Sequence, residues 1–176
     1  MNATLAAWNA AGATEARNAM LACCGSKRWA DAMVALRPIA SVAALSEAAD
    51  RVWGTMQETD WLEAFACHPQ IGERKGIGER KVSAHAGERS SAWSWAEQAQ
   101  TDSASENVLD EIADGNQRYE ELFGFTYIVC ATGKSAEEML AILKRRLQST
   151  RETELREAAE QQRQIMQIRL GKWLIE

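Results

Sequence analysis

The chain has 176 residues, of which 46% are apolar and 26% charged, a balance typical of a soluble domain with a sizeable hydrophobic core. Its net charge of −5 argues against a nucleic-acid-binding protein, because contacts to phosphates require a clustered basic face. No apolar run approaches the length of about 20 residues that spans a bilayer, and the N-terminus lacks the pattern of a secretory signal. The sequence therefore predicts a cytoplasmic protein that does not enter a membrane.

The four cysteines are predicted to be buried and unpaired. Cys23 and Cys24 are adjacent, which is a poor framework for disulfides, and the other two are Cys67 and Cys130. No C-x-x-C spacing indicates zinc, and a cytoplasmic chain keeps its thiols reduced.

Helical patterns fill the first part of the chain. The run SKRWADAMVALRP carries apolar residues at helical spacing and ends at Pro38, because the residue before a proline resists the helical region. The next helix is predicted to begin at Ser41, a favourable N-cap. A third run, TDWLEAFACHP, is predicted to begin at the N-cap Asp60 and to stop at Pro69.

The second half is also helical. A long amphipathic helix, SASENVLDEIADGNQRYEELFG, is predicted to end at Gly124, because glycine suits a left-handed C-cap. The next begins with Ser135-x-x-Glu138, the pattern of a capping box, and the last helix covers about residues 152–175. We interpret the basic residues within 144–151 as a solvated helix face, because they stand among glutamates.

The sequence thus predicts an all-α fold, a single domain over residues 1–176 with roughly eight helices. Residues 72–91 are rich in glycine, charged residues and serine and repeat the motif IGERK, so we interpret them as one long flexible loop. One segment, FTYIVCA (residues 125–131), is β-branched, aromatic and, apart from Thr126, apolar. It is either the start of a buried helix or an extended stretch in the core, which would leave backbone N–H groups free to form a pocket wall.

Arg169 is the clearest anomaly in the helical pattern. It lies on the apolar face of the last helix, one turn from Ile165 and one turn from Trp173. A buried guanidinium needs an anionic partner, because leaving it unpaired is costly. The pattern allows a structural ion pair, a side chain that extends past the apolar rim, or an arginine that binds a substrate anion.

The segment SAWSWAEQAQ also presents polar residues on one helical face. Ser94, Glu97 and Gln98 are spaced i, i+3, i+4, flanked by Trp93 and Trp95. This pattern fits a site that combines a hydroxyl, a carboxylate and an amide. It also fits a capping box that only starts a helix.

His68 stands at a helix exit beside Pro69. A histidine there gains from the negative end of the helix dipole, and the same placement suits a rigid acid–base group facing a cleft. His85 is predicted to be solvated. Having only two histidines argues against a multi-histidine metal site, and we find no dinucleotide fingerprint, P-loop or nucleophile elbow. These observations favour chemistry without a cofactor or metal.

Through nearly its whole length, the chain resembles the 2-oxo-4-hydroxy-4-carboxy-5-ureidoimidazoline (OHCU) decarboxylases of urate breakdown. The segments that carry the resemblance are KRWADAMVALRP, DWLEAFACHPQIGE, SWAEQAQT, GNQRYEELFGFTYIVCATGKSAEEML and ELREAAEQQRQIMQIRLGKWL. The ordered combination of His-Pro, S-x-x-E-Q, F-G-F with an apolar run and a late R-L is specific, although no single piece is.

The resemblance implies an all-α, cofactor-independent homodimer that acts on a small ureido-imidazoline and releases (S)-allantoin. It implies that His68 is the catalytic histidine and that Glu97 is its counterpart. The residues that it assigns to substrate binding are Pro69, Ser94, Gln98, Tyr127, Ile128, Val129, Cys130, Ala131 and Arg169.

The chain departs from the family pattern at two positions near the expected pocket. The family often has His-Pro-Asp-Leu where this chain has HPQIG, and Phe-Pro-Phe where it has Phe-Thr-Tyr. Gln70 and Thr126 therefore bear on the fine geometry of the pocket and not on the reaction type. The long segment between His68 and Glu97 is a candidate lid.

Two other functions remain open from the sequence. A helical interaction module would use exposed tryptophans such as Trp93 and Trp95 to dock a partner. A related hydrolase would act on the preceding product of urate oxidation.

Overall fold

Nine α-helices make up most of the chain in the residues that the structure, a computed structural model, describes: 2–72, 87–99 and 104–176. In chain order they are α1 (Ala3–Ala10), α2 (Ala13–Cys24), α3 (Lys27–Ala35), α4 (Val42–Trp53), α5 (Glu58–Phe65), α6 (Glu88–Glu97), α7 (Glu106–Phe123), α8 (Ala136–Arg146) and α9 (Arg151–Trp173). These residues contain no β-strand, so the predicted all-α fold is confirmed, with one helix more than the approximate count.

Helix α9 runs along the core and packs against α2, α4, α5 and α7. Because it has neighbours on several sides, apolar residues are buried around much of its surface, and three polar side chains are buried with them. These are Glu154, Gln162 and Arg169. Burying a polar group destabilises the fold unless the group is hydrogen-bonded, so each of these side chains needs a hydrogen-bond partner within the core.

Tryptophan side chains join neighbouring helices through directed hydrogen bonds. The indole N–H of Trp29 on α3 donates to the carbonyl of Ala49 on α4, at 3.1 Å. The indole N–H of Trp53 on α4 donates to the carbonyl of Ala159 on α9, at 3.0 Å. Each ring thus buries a large apolar surface and also satisfies its polar atom, which fixes the relative position of the two helices.

Helices α7 and α8 approach closely at Gly115. A Cβ atom on this glycine would lie 2.6 Å from Cδ2 of Leu143, too close for the two atoms to coexist without movement. Helix α7 then ends at Gly124, whose φ of +80° confirms the predicted left-handed C-cap. This turn leads the chain directly into the apolar segment 125–131.

The predicted helix starts are right in two cases and wrong in one. Ser41 caps α4, and Ser135 forms the predicted capping box with Glu138. Asp60 does not cap α5, because that helix begins one turn earlier at the cap Gln57. Asp60 is instead the third helical residue, and its carboxylate accepts from the backbone N–H of Gln57. An acidic residue suits both places, so the pattern misplaced the boundary by one turn.

The loop predicted over residues 72–91 is shorter at its C-terminal end. Helix α6 already begins at Glu88, so residues 88–91 are helical. Residues 73–86 lie outside the described part of the chain, and His85 lies among them.

Two further expectations can be compared with the structure. All four cysteines are buried and none of them forms a disulfide, as predicted. Across the described helices, none combines the length and apolar character that a bilayer span requires.

Candidate active site

His68 stands three residues beyond the last residue of α5. Its backbone N–H donates to the carbonyl of Phe65 at 3.1 Å, so the chain continues in a tight turn after the helix and then reaches Pro69. The half-buried imidazole points into the molecule, where it meets the side chain of Gln162 on α9. The helix exit therefore holds the imidazole in a fixed place, as the His-Pro pair suggested.

A small pocket lies where the exit of α5, the end of α6, the segment 125–131 and α9 meet. Its cavity measures about 20 Å³. The residues that line it are His68, Pro69, Ile71, Ser94, Glu97, Gln98, Tyr127, Ile128, Val129, Ala131 and Ile165. Nine of the eleven residues that the sequence assigned to a site are in this lining, and Cys130 and Arg169 are not.

The carboxylate of Glu97 forms an ion pair with Arg169 at the pocket. Arg169 is 1% exposed, and its Nε and Nη2 donate to the two oxygens of Glu97 at 3.1 and 2.9 Å. Lys172, one turn further along α9, also donates to Glu97 at 3.1 Å. A two-pronged arginine–carboxylate contact fixes both position and orientation, so the carboxylate is held by two cations.

Two serines on α6 complete the surroundings of Arg169. The hydroxyl of Ser94 accepts from Nη2 at 2.8 Å, and the hydroxyl of Ser90 accepts from Nη1 at 3.2 Å. The capping-box interpretation of Ser94 and Glu97 is wrong, because α6 begins at Glu88 and both residues lie in its last turn. They are spaced i, i+4, i+7 with Ser90, so all three lie on one face of α6. That face meets the guanidinium of Arg169 on α9.

The cations around Glu97 keep it ionised. Burial acts to raise its pKa, but the hydrogen bonds and charges of Arg169 and Lys172 outweigh burial, so the pKa lies below its usual value. Glu97 is therefore a carboxylate at neutral pH and acts as a fixed negative charge rather than as a proton donor.

The imidazole of His68 is kept neutral. Burial lowers its pKa to about 3, and the positive charge of Arg169 acts in the same direction. The Glu97 carboxylate and the hydrogen bond to Gln162 oppose this shift without reversing it. At neutral pH the ring carries a lone pair, so it can accept a proton.

The segment after Phe125 has no regular secondary structure and forms one wall of the pocket. Residues 126–131 are not helical, so the alternative of a buried helix start is wrong. The wall is held from behind at three points. Arg146 donates to the carbonyl of Ile128 at 2.6 Å, Gln161 accepts from the N–H of Cys130 at 2.9 Å, and Lys134 donates to the carbonyl of Cys130 at 2.8 Å.

Arg146 belongs to a buried network that the sequence interpretation missed. Its guanidinium is 3% exposed and also donates to Glu154, at 2.6 Å, and to the hydroxyl of Tyr119, at 3.1 Å. The predicted solvated face is therefore wrong at this position. The sequence does contain a pattern that indicates burial of Arg146. Met139, Leu143 and Arg146 are spaced i, i+4, i+7, and all three are buried on one stripe of α8.

Two amide side chains hold the turn that follows the His-Pro corner. Gln98 accepts from the N–H of Gly72 at 3.1 Å, and Asn116 donates to the carbonyl of Ile71 at 2.9 Å. Gly72 has a φ of +76°, a conformation that favours glycine. Gln98 thus supports the pocket through the backbone as well as by lining it.

The two positions that depart from the family pattern meet at one carboxylate oxygen. Gln70 donates to Oε1 of Glu120 at 3.0 Å, and the hydroxyl of Thr126 donates to the same oxygen at 3.2 Å. None of the three side chains lines the pocket. Their contact joins the His-Pro corner to the start of the wall. Gln70 and Thr126 therefore affect how the pocket is supported and not which side chains line it.

A larger groove of about 770 Å³ lies elsewhere, beside α1 and α2. It includes Trp8, Asn18 and Trp173 in its lining but neither His68 nor Glu97. Of these two cavities, the smaller one brings together an acid–base group and a fixed carboxylate, so we place the candidate active site there. Among residues 2–72, 87–99 and 104–176, no three histidine, cysteine, aspartate or glutamate side chains form a group that could hold a metal ion.

This arrangement can do acid–base chemistry on a small molecule. It supplies a neutral imidazole, a carboxylate held by cations and a wall of buried, non-helical backbone. A family model described as OHCU decarboxylase matches residues 9–171. The chain belongs to the OHCU decarboxylase family.

Relatives of this OHCU decarboxylase family member come from distant organisms. The uric acid degradation bifunctional protein TTL of Arabidopsis thaliana is 38% identical over 156 residues, which cover 85% of this chain and 44% of that protein. The 2-oxo-4-hydroxy-4-carboxy-5-ureidoimidazoline decarboxylase of Haloferax volcanii is 26% identical over 136 residues, 77% of this chain and 74% of that protein. The chain therefore spans less than half of the Arabidopsis protein.

Solved structures show the same family fold. A crystal structure of OHCU decarboxylase in the presence of (S)-allantoin matches with a TM-score of 0.74 at 30% identity, covering 90% of this chain and 99% of that one. A crystal structure of (S)-allantoin synthase matches with a TM-score of 0.69 at 20% identity, covering 96% of this chain and 53% of that one. At that lower identity the likeness shows the fold alone.

Proposed function

We propose that this chain is a cofactor-independent decarboxylase that converts OHCU to (S)-allantoin in the breakdown of urate. The observation that carries the proposal is the meeting of His68, from the exit of α5, with Glu97, from the end of α6, in one pocket. Membership of the OHCU decarboxylase family supports it, and so does the match to a structure of OHCU decarboxylase with (S)-allantoin.

The chemistry of the substrate explains why these groups suffice. When the carboxylate leaves as CO₂, the bonding electron pair stays on the ring and is delocalised through the adjoining C=N group. The substrate thus accepts the electrons itself. The protein has to hold the carboxylate out of the ring plane, remove the proton of the ring hydroxyl and place a proton on one face of the ring.

His68 is the group that handles the proton. Its neutral imidazole can take the hydroxyl proton and return a proton to the ring carbon, with a net uptake of one proton to replace CO₂. Because the imidazole of His68 is fixed just beyond α5 and beside Pro69, the proton reaches the substrate from one side. Delivery from a fixed side accounts for a single enantiomer of the product.

Glu97 orients the substrate, and Arg169 orients Glu97. The carboxylate can accept hydrogen bonds from the ring hydroxyl and the ureido group, while the guanidinium holds it from behind. Because four N–H groups of Arg169 already donate to Glu97, Ser90 and Ser94, the ion-pair interpretation of this arginine is favoured over direct binding of a substrate anion.

The wall supplies backbone donors for the ring carbonyl. The N–H of Cys130 is occupied, because it donates to Gln161 on α9. Val129 and Ala131 line the pocket, and we assign their N–H groups as the donors to the ring carbonyl. Donors held in place before the reaction stabilise developing negative charge without having to reorganise.

Substrate entry requires the pocket to open. The cavity of about 20 Å³ has room for roughly one water molecule, whereas small-molecule sites usually measure about 300 Å³ or more. Binding is therefore coupled to a separation of the lining side chains.

The test is turnover of freshly generated OHCU by the purified chain. Circular dichroism should show the substrate signal decaying faster than its spontaneous rate, with accumulation of (S)-allantoin and release of one CO₂ per turnover. The variant His68→Asn should lose ~10²–10⁴-fold in kcat, the usual cost of removing an acid–base group. An unchanged spontaneous rate with the wild-type chain would refute the proposal.

The same experiment separates the two other functions. An interaction module would leave the decay of OHCU unchanged, and its docking surface is weakened because Trp93 is buried and donates to Glu176 at 3.1 Å. A hydrolase acting on the preceding product would consume that compound without releasing CO₂.

The assembly, the location and the extent of the domain also belong to the proposal. We propose one OHCU decarboxylase-like domain over residues 1–176 that works as a cytoplasmic homodimer on a small molecule. Four cysteine thiols outside any disulfide suit a reducing compartment. Light scattering after gel filtration tests the dimer, since a mass of one chain would contradict it.

A further inference from the structure

The side chain of Gln162 contacts the imidazole of His68 at the back of the pocket. Gln162 is 0% exposed, and its Oε1 lies 2.7 Å from Nε2 of His68. An amide oxygen only accepts, so this contact requires the imidazole proton to be on Nε2. The lone pair of the neutral ring is then on Nδ1, and the structure gives Nδ1 no partner among the described residues.

Folding alone does not account for a glutamine at this position. The other end of the amide, Nε2 of Gln162, is buried and has no hydrogen-bond partner in the part of the chain that the structure describes. A buried donor without a partner destabilises the fold, and a leucine or methionine would avoid that cost. The feature that a leucine or methionine could not provide is the hydrogen bond that Oε1 of Gln162 accepts from His68.

The neutral charge of the amide also matters for the imidazole. A carboxylate at this distance would favour the charged ring, because an opposite charge raises the pKa of a histidine. The charged groups that already influence His68 are Arg169 on α9, which favours the neutral ring, and Glu97 on α6, which opposes it. A glutamine orients the imidazole of His68 through a hydrogen bond without adding a charge.

The neighbouring residue Gln161 holds the opposite wall. Its Oε1 accepts from the N–H of Cys130, while the next residue contacts His68. Two adjacent side chains on one helix therefore fix the imidazole and the wall relative to each other.

We infer that Gln162 is a positioning residue that holds His68 as the neutral Nε2–H tautomer, so that Nδ1 is the atom that takes and returns the substrate proton. This inference deepens the proposed function and rests on it for the role of Nδ1. The contact itself can be tested without any turnover.

The direct measurement is the tautomer of His68 by nitrogen-15 NMR of the imidazole. The chain has two histidines, so the variant His68→Asn assigns the signals. We expect Nε2 protonated and Nδ1 bare in the wild type at pH 7. In Gln162→Met, which keeps the length but removes the acceptor, we expect a mixture of the two tautomers.

The kinetic measurement distinguishes positioning from general support of the fold. We expect kcat of Gln162→Met to fall about tenfold with KM unchanged, since Gln162 does not line the pocket and the acid–base group itself remains. In Gln162→Glu we expect the acid limb of the kcat/KM profile to move up by more than one pH unit. Gln164→Met is the matched control, because that amide on the same helix donates to Glu160 at 3.0 Å and not to the pocket, and we expect its kinetics to be unchanged.

Two results would overturn the inference: a wild-type His68 protonated on Nδ1, or a Gln162→Met variant with the wild-type tautomer and the wild-type kcat. Failure of the proposed function has a different signature. If the wild type does not turn over OHCU, or if His68→Asn does so at full rate, the catalytic role is lost, while the tautomer measurement still decides whether Gln162 positions the ring.

Discussion

Arg169 holds Glu97 by two hydrogen bonds, of 3.1 and 2.9 Å, although the two residues are 72 positions apart in the sequence. The side chains are 1% and 8% exposed, so the pair is withdrawn from solvent. Because the pair is buried, removing one partner is expected to cost more than the pair itself contributes to stability.

The variant Arg169→Leu is therefore expected to be less stable than the wild type by about 3 kcal/mol. The value is at the low end of the range for broken buried pairs, because Lys172 still contacts the carboxylate. The double variant Arg169→Leu/Glu97→Leu should recover much of the loss, since it leaves no charge unpaired. Urea unfolding measures both, and full stability in Arg169→Leu would favour an arginine reserved for a substrate anion.

The neutral state of His68 makes stability depend on pH. In the unfolded chain its pKa is near 6.5, and in the folded chain it is about 3, so at pH 5 only the unfolded state binds the proton. Stability should therefore fall as the pH drops below 6.5 and should be fully present above it. Between pH 7.5 and 5 the wild type should lose about 2 kcal/mol more than His68→Asn. Equal losses in the two proteins, measured by urea unfolding, would show that the folded ring titrates normally.

Arg146 should matter far more than its neighbour Arg145. The change Arg146→Met leaves Glu154 without its cation and frees the carbonyl of Ile128, so we expect a loss of about 3 kcal/mol and a raised KM as the wall loosens. Arg145 is exposed on the same helix, and Arg145→Met should change stability by less than about 0.5 kcal/mol. Thermal unfolding and OHCU kinetics on both variants provide the comparison.

Gly115 and Gly171 form a matched pair for a packing test. Gly115→Ala would place a methyl group 2.6 Å from Cδ2 of Leu143, and we expect a loss of about 1–3 kcal/mol despite the better helix propensity of alanine. A methyl group on Gly171 of α9 would meet only open space, so Gly171→Ala should gain about 0.5–1 kcal/mol. Melting temperatures that move in the same direction would contradict the close approach of α7 and α8.

Much of the fold and part of the site are predictable from the sequence, because helix caps and stops depend on residues that are adjacent in the chain. Ser41 and Gly124 were predicted as a cap and a stop, since their roles depend on the adjacent backbone alone. Arg169 was recognised as anomalous because a charge on an apolar stripe needs a partner. Its partner was not predictable in the same way, since the contact with Glu97 depends on how α6 packs on α9.

Gln162 and Arg146 show what pattern reading overlooks. Gln162 follows Ala158 by four residues and precedes Ile165 by three, so it lies on the same stripe as Arg169. An uncharged amide raises less suspicion than a guanidinium in that place, and Arg146 was hidden in a run of basic residues. In both cases burial by a neighbouring helix, not the local sequence, decides the environment.

Helix α9 carries the contacts of Glu154, of Gln161 and Gln162, of Arg169 and of Lys172 along a single rigid rod. Adding or deleting one residue between positions 154 and 161 would rotate the four later side chains by about 100° and shift them by about 1.5 Å relative to the first. The wall, the imidazole and the carboxylate would all lose their anchors together. This helix can accept many substitutions on its solvent side, yet its length between those positions is fixed.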